Sequence, residues 1–413
     1  MVKFAKNRQY YKFSLYGFLK NLRFFDAFLL LYLAKKGLPY TEIGILYAVR
    51  EIFINLFEIP SGLIADTYGR KNTLAGSFVI YMGSFLFFYF AQGFWLFLLA
   101  FLLYGVADAF RSGTHKGMIM DYLKIHNWGE QKITYYGHTR SWSQIGSALS
   151  SLVAGFIVFY GGEYKNIFLF SIIPYLLNLF LILSYPKELN HTTKHYKSGI
   201  QLTLKSFLKI MKQAEVLQII NTTALHSAFM KAVKDYIQPV MVHLSLLLPL
   251  MTQLNTEKKN GVVIGVVYFI IYLLTAQASK ISSGIESSIK RNIPFYTLIL
   301  GFLSGLTCGI FYHNQLWLLA LIAFVGIYIF ENIRKPILTG YISDNVPNEI
   351  LTSVLSAQSL LQTLITAVLS FVFGLFADLW GIGISFIAVT SFLIVFTLIL
   401  NIITEIKKHS KQT

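Results

Sequence analysis

The sequence is short of charge, of acids and of cysteine. Only 13% of its 413 residues are Asp, Glu, Lys or Arg, while 55% are hydrophobic. A soluble domain cannot cover its surface with so few charges, so that class is excluded. Acids are the scarcer sign, 19 against 35 Lys and Arg, for a net charge of +16. The single cysteine, Cys308, lies in an apolar run, which excludes an intrachain disulfide framework; no metal centre and no cofactor are expected. The apolar runs do not alternate with polar residues, which excludes a β-barrel.

What is present is a series of long apolar runs. A bilayer core of about 30 Å takes roughly 20 residues of helix. By that measure the chain holds twelve spans, near 14–34, 40–64, 72–92, 95–121, 134–160, 166–185, 217–247, 260–281, 293–313, 315–337, 350–378 and 381–404. The expected organisation is a basic arm (1–13), a first six-helix bundle (14–185), a polar linker (186–215), a second six-helix bundle (216–404) and a tail (405–413). The arm, MVKFAKNRQYYKF, lacks an apolar core followed by a small-residue cleavage site, so it is read as retained. The linker contains LTLKSFLKIMKQ, a candidate interfacial amphipathic helix.

Basic residues fall almost entirely on one side of this topology, among them Arg70, Lys71, Lys187 and the KKHSK tail. The bias places both termini in the cytoplasm of a multi-pass cell-membrane protein. It also accounts for the net charge without a nucleic-acid partner.

The two halves resemble each other. FLKNLRFFD (18–26) in span 1 is matched by FMKAVKD (229–235) in span 7. Asp108-Ala-Phe-Arg111 in span 4 is matched by Glu331-Asn-Ile-Arg334 in span 10, with Asp121 and Asp344 following. SG…GRKN (61–72) after span 2 is matched by SG…KRN (283–292) after span 8. Recurrence at the same three places indicates an internal repeat.

The turn between spans 2 and 3 reads GLIADTYGRK. Gly-x-x-x-Asp-x-x-Gly-Arg-Lys at that place, in a six-plus-six chain with a long middle loop, resembles the signature of the major facilitator superfamily. The resemblance implies an all-α integral membrane protein, twelve transmembrane helices in two pseudo-symmetric six-helix bundles that rock about a midplane site. It implies a gating latch at Gly62, Asp66, Gly69, Arg70 and Lys71. Thr67 stands where the family often has a basic residue, so one latch contact is expected to be missing. Span 5 has Gly146 and Gly155 but no proline between them, which departs from the family's drug/proton antiporters.

In that family spans 1, 4, 7 and 10 line the central cavity, and here they carry the membrane-embedded charges. Such charges are costly unless paired or solvated, and by default mark a pathway. Helical spacing aligns Tyr104, Asp108, Arg111 and His115 in span 4, and Tyr16, Lys20 and Arg23 in span 1 with Asp26 a step round. Lys231, Lys234 and Asp235 in span 7, and Glu331, Arg334 and Lys335 in span 10, form the counterpart clusters. Arg50 and Glu51 in span 2 and Arg140 in span 5 complete the candidate pathway. The plainer reading is that individual pairs only hold helices together. Against it stands the sum: with Lys116, the cavity helices carry eight bases but four acids.

The excess is met either by lysines that lie neutral or snorkel to an interface or by a small anionic or zwitterionic solute, with Arg111 and Arg334 as its main anchors because a guanidinium grips a carboxylate or phosphate bidentately. Asp26, Asp108 and Glu331 are the candidate carriers of a coupling proton. His226, inside span 7, is read as a hydrogen-bonded helix contact, with a proton relay as the alternative. The expected protein is thus a monomeric secondary active transporter, not an enzyme. Proton-driven efflux of drug-like compounds is the main alternative; a non-transporting receptor or a membrane-embedded enzyme are the others.

Overall fold

A computed structural model of the chain describes residues 6–128, 131–190, 214–247, 254–288, 293–345 and 348–412. The linker stretch LTLKSFLKIMKQ and the last residues of the SG…KRN turn lie outside the described residues, as does the side chain of Asp344. The described residues form helices and turns, without a strand. In chain order the α-helices are α1 (Arg8–Lys20), α2 (Leu29–Lys35), α3 (Tyr40–Tyr68), α4 (Arg70–Phe90), α5 (Phe94–Arg111), α6 (Thr114–Ile125), α7 (Lys132–Gly161) and α8 (Asn166–Leu183). They continue with α9 (Ala214–Val233), α10 (Ile237–Leu247), α11 (Thr256–Ser288), α12 (Ile293–His313), α13 (Trp317–Asn345), α14 (Asn348–Trp380) and α15 (Ile382–Gln412).

Nine of the twelve expected spans are matched by helices long and apolar enough, among the described residues, to cross a membrane. The other three are spans 1, 2 and 7. Helix α3 is long enough but carries Arg50, Glu51 and Glu58. Spans 1 and 7 are broken, and span 4, though apolar enough, is broken too.

The breaks have local causes. In span 1 the Asn21 side chain donates to the Gly17 carbonyl at 2.6 Å, competing with the helix ladder, and α1 ends at Lys20. Arg23 and Asp26 therefore sit on the turns that follow, not on the helical stripe expected for them. In span 4, α5 and α6 are separated by Ser112 and Gly113, whose φ of 76° favours glycine. His115 consequently starts a new helix instead of continuing the stripe of Arg111. In span 7 a 3-10 turn, Lys234–Tyr236, precedes Pro239, which fits the first turn of α10 because its missing N–H is not needed there. Broken helices expose backbone groups that only a polar or wet lining can satisfy.

The helices segregate into two compact units. The first comprises Met1–Leu38, Val49–Lys197 and Leu248–Tyr272; the second, Pro39–Ala48, Ser198–Leu247 and Leu273–Thr413. Helix α3 thus starts in the second unit and continues in the first, and α11 does the reverse.

The first unit is built on aromatic packing. Tyr81 meets Tyr104 and Tyr175 edge-on, both at 5.1 Å between ring centres, and Phe88 stacks on Phe168 at 4.9 Å. The second is centred on Phe386, which meets Phe373 at 4.7 Å and Phe324 at 5.3 Å. Each such ring buries a large apolar area and adds an edge-to-face preference of about 1 kcal/mol.

Candidate functional site

Three constellations emerge. The first lies in the first unit, where the breaks in spans 1 and 4 collect charge. Arg111 ends α5 and folds back on Asp108 one turn earlier. Its Nε and Nη2 donate to one carboxylate oxygen at 2.9 and 2.7 Å. The Tyr81 hydroxyl donates to the same oxygen and also receives Arg111 Nε at 3.2 Å. Asp108 is therefore neutralised where it stands. Arg23 is only loosely paired with Asp26, at 3.7 Å, and its Nε is buried without a hydrogen-bond partner.

Lys20 differs from both arginines. Its electrostatic neighbours are Arg111, Arg23, Asp108 and Asp26. Yet among the described residues no carboxylate comes within ion-pair distance of its ammonium. The local set is three basic groups, Lys20, Arg23 and Arg111, against two carboxylates, so one base has no carboxylate of its own among the described residues.

Aromatic and polar groups frame this set. Tyr16 stacks on His115 with ring centres 3.6 Å apart, and His115 Nε2 lies 3.4 Å from the Tyr185 hydroxyl. Tyr104 packs edge-on against Phe25. On α3, Arg50 and Glu51 pair with each other at 3.2 Å despite being adjacent in sequence. Arg140 is exposed near the start of α7.

The second constellation is the GLIADTYGRK turn. Arg70 Nη1 bonds Asp121 on α6 at 2.7 Å, and Asp66 lies 3.7 Å from the same guanidinium. Gly117, beneath Arg70, leaves no room there for a side chain. Gly69 has φ 91° and precedes the first turn of α4. The Asn190 side-chain oxygen accepts from Lys71 N at 3.1 Å and Asn72 N at 3.3 Å, so it caps α4. A side chain on residue 69 would collide with Asn190. Lys71 Nζ donates to the Tyr185 carbonyl at 2.8 Å. Gly62 is exposed and meets nothing within 4 Å of where a Cβ would stand.

The third constellation lies in the second unit. Glu331, 4% exposed, lies 2.8 Å from His226 Nδ1 through one oxygen and accepts from the Ser227 hydroxyl at 2.7 Å on the other. Lys335 Nζ stands 3.5 Å from that second oxygen. Arg334, 1% exposed, turns away from Glu331. Its Nη1 donates to the Pro294 carbonyl at 2.6 Å and Thr297 Oγ1 at 2.8 Å, and its Nη2 to the Thr222 carbonyl at 2.7 Å. Those bonds pin α13 to α12 and α9, a role distinct from the solute anchor expected from sequence. Lys234 lies 3.6 Å from the buried Asp235, and Lys231 is exposed. Sequence reasoning left His226 outside the pathway because its partner is 105 positions away.

Apolar helices of membrane-crossing length, interrupted at buried charges, define a polytopic α-helical membrane transporter. The chain belongs to the Major Facilitator Superfamily, whose family model matches residues 20–368. It is therefore a multi-pass membrane protein of a transporter family, not an enzyme. A curated relative, the uncharacterized MFS-type transporter YxaM of Bacillus subtilis (strain 168), is 23% identical over 393 residues, 94% of each chain. Solved structures share the fold at lower identity. The nucleoside transporter NupG superposes with a TM-score of 0.74 at 12% identity, over 95% of this chain and 98% of that one. A D-xylose-proton symporter gives 0.69 at 14% identity, over 93% and 96%. A POT family transporter in complex with 5-aminolevulinic acid gives 0.71 at 13% identity, over 96% of both.

Proposed function

We propose that the protein moves a small anionic or zwitterionic solute across the cell membrane by alternating access, coupled to protons, with both termini cytoplasmic. The observation that carries this reading is Lys20, the unmatched cation of the first unit. A half-buried ammonium without a carboxylate partner is disfavoured unless something compensates it, and a solute carboxylate or phosphate would do so. Arg23 and Arg111 flank it and supply the directed donors, while Tyr16, Tyr104 and His115 border the same set. Arg334 is assigned to holding the second unit together; of the three candidate coupling carboxylates, Asp108 is held by Arg111, which leaves Glu331 and Asp26. The Arg70–Asp121 and Asp66 contacts are assigned to the gate. Two neighbours in fold support the reading in kind: one is a D-xylose-proton symporter, and another is a POT family transporter in complex with 5-aminolevulinic acid.

A thermal-shift panel on the purified protein tests this, because ligands that bind the folded state raise its melting temperature by mass action. Small carboxylates, phosphates and zwitterions are expected to stabilise it, and Lys20→Gln to abolish the shift. Stabilisation by lipophilic cations instead would replace this reading with drug efflux.

A further inference from the structure

We infer that His226 and Glu331 together form the proton-binding site of the transport cycle. The inference rests on the proton-coupled reading above and names the group that does the coupling. The assignment comes from what surrounds the three candidate coupling carboxylates, Asp26, Asp108 and Glu331, and Asp235 of span 7. Asp108 is held by two N–H groups of Arg111 and by Tyr81, so a proton arriving there would have to displace a guanidinium. Asp235 lies beside Lys234, and Asp26 beside Arg23. Glu331 alone of the four is bonded to an imidazole, a group that itself takes up and releases protons near neutral pH.

With Glu331 ionised, its carboxylate only accepts, and the 2.8 Å contact then puts the imidazole hydrogen on Nδ1. Nε2 then carries a bare lone pair. It is buried, in a residue 0% exposed, and has no hydrogen-bond partner. One more proton converts the pair from charge −1 to charge 0 without breaking the bond between them. The pair titrates as a unit.

The surroundings are compatible with that change. Helix α9, which carries His226, packs against α12, α13, α14 and α15. The charged groups that act on His226 come from α13: Glu331, Arg334 and Lys335. On α9 itself Lys231 is exposed. The described residues that meet the ring or its neighbours from α12 and α14, Phe302 and Thr366, bear no charge, nor does Thr390 of α15. Arg334 is bonded to oxygens of α9 and α12 and stays in place. Lys335, whose side chain is 58% exposed, stands 3.5 Å from Glu331 and marks the wetter end of the pair.

The test is nitrogen NMR of histidine-labelled full-length protein in liposomes with no solute present, its signals assigned with His226→Asn. As the pH is lowered from about 9 to about 5, His226 is expected to pass in one step from a neutral ring with the hydrogen on Nδ1 to a doubly protonated ring. Glu331→Gln is expected to move that step at least about tenfold in proton concentration, and Glu331→Asp, which keeps the carboxylate, to move it less. A ring that keeps one protonation state and tautomer across the range overturns the inference, as does a step that Glu331→Gln leaves in place. No solute enters the measurement. A chain that titrates at His226 but binds no anion would therefore defeat the solute reading and leave this one standing.

Discussion

Asp108 and Glu331 occupy the same place in the internal repeat, each three residues before an arginine, yet their surroundings are opposite. In the first unit Arg111 closes on Asp108 at 2.7 Å. In the second, Arg334 spends its donors on Pro294, Thr297 and Thr222, and Glu331 takes a histidine and a serine instead. The cause lies around the motif. Arg111 is the last residue of α5, before Ser112 and Gly113 interrupt the helix, and Tyr81 waits across from it. Arg334 is in the interior of α13, facing the first turn of α12. One motif therefore yields a locked ion pair in one unit and an acid with exchangeable partners in the other. The first unit is left with spare positive charge and the second with a proton acceptor.

The comparison can be broken at its strongest point first. Arg111→Gln strands Asp108 with Tyr81 as its remaining donor and should destabilise the protein by about 3–5 kcal/mol. Adding Asp108→Asn should recover most of that loss. Arg334→Gln strands three oxygens and should cost about 3 kcal/mol, but adding Glu331→Gln should recover none of it. Thermal unfolding of the four variants in detergent checks both halves; rescue by Glu331→Gln would show that the two arginines do the same work.

Gly301→Ala comes next. A methyl group there would run into His226 Nε2, so the ring must shift off Glu331. About 1–3 kcal/mol of stability should be lost, and a large share of proton-coupled flux with it, measured in liposomes with an imposed pH gradient. Unchanged coupling would separate His226 from the cycle.

Smaller effects lie at two helix starts. Asp378 accepts from Tyr40 N at 2.8 Å and from Thr41 N and Oγ1 at 2.7 and 2.6 Å, capping α3 within the second unit. Asp378→Ala should lower stability by about 1 kcal/mol. Within the first unit, Lys35 donates to Glu257 at 2.6 Å and is the main cause of that carboxyl titrating below its usual range. The contribution is therefore complete above the ordinary glutamate value of about 4.3 and disappears as the pH falls through the depressed value. Glu257→Gln should cost less than about 1 kcal/mol at neutral pH, since the pair is partly exposed. The gap between variant and native melting curves should close on acidification.

Much of this was legible in the chain. Continuous apolar runs announce membrane helices, and GLIADTYGRK announces its family, because composition and a local turn are properties of neighbouring residues. The acid-x-x-Arg repeat correctly marks where buried charge sits. It cannot tell which partner each charge takes, because Arg334 finds its acceptors 37, 40 and 112 positions away. The helix breaks had only weak signals, one Asn at residue 21 and one Gly at residue 113, inside stretches apolar enough to continue. Asn190 as the cap of α4, 119 positions from Lys71, had no signal at all.

The most direct test of the spare charge in the first unit is the affinity of a stabilising carboxylate or phosphate for the native protein and for Lys20→Gln, by calorimetric titration. At least a tenfold loss, about 1.4 kcal/mol, is predicted, with the melting temperature of the solute-free variant no lower than that of the native protein. Equal affinity in the two proteins would contradict the account.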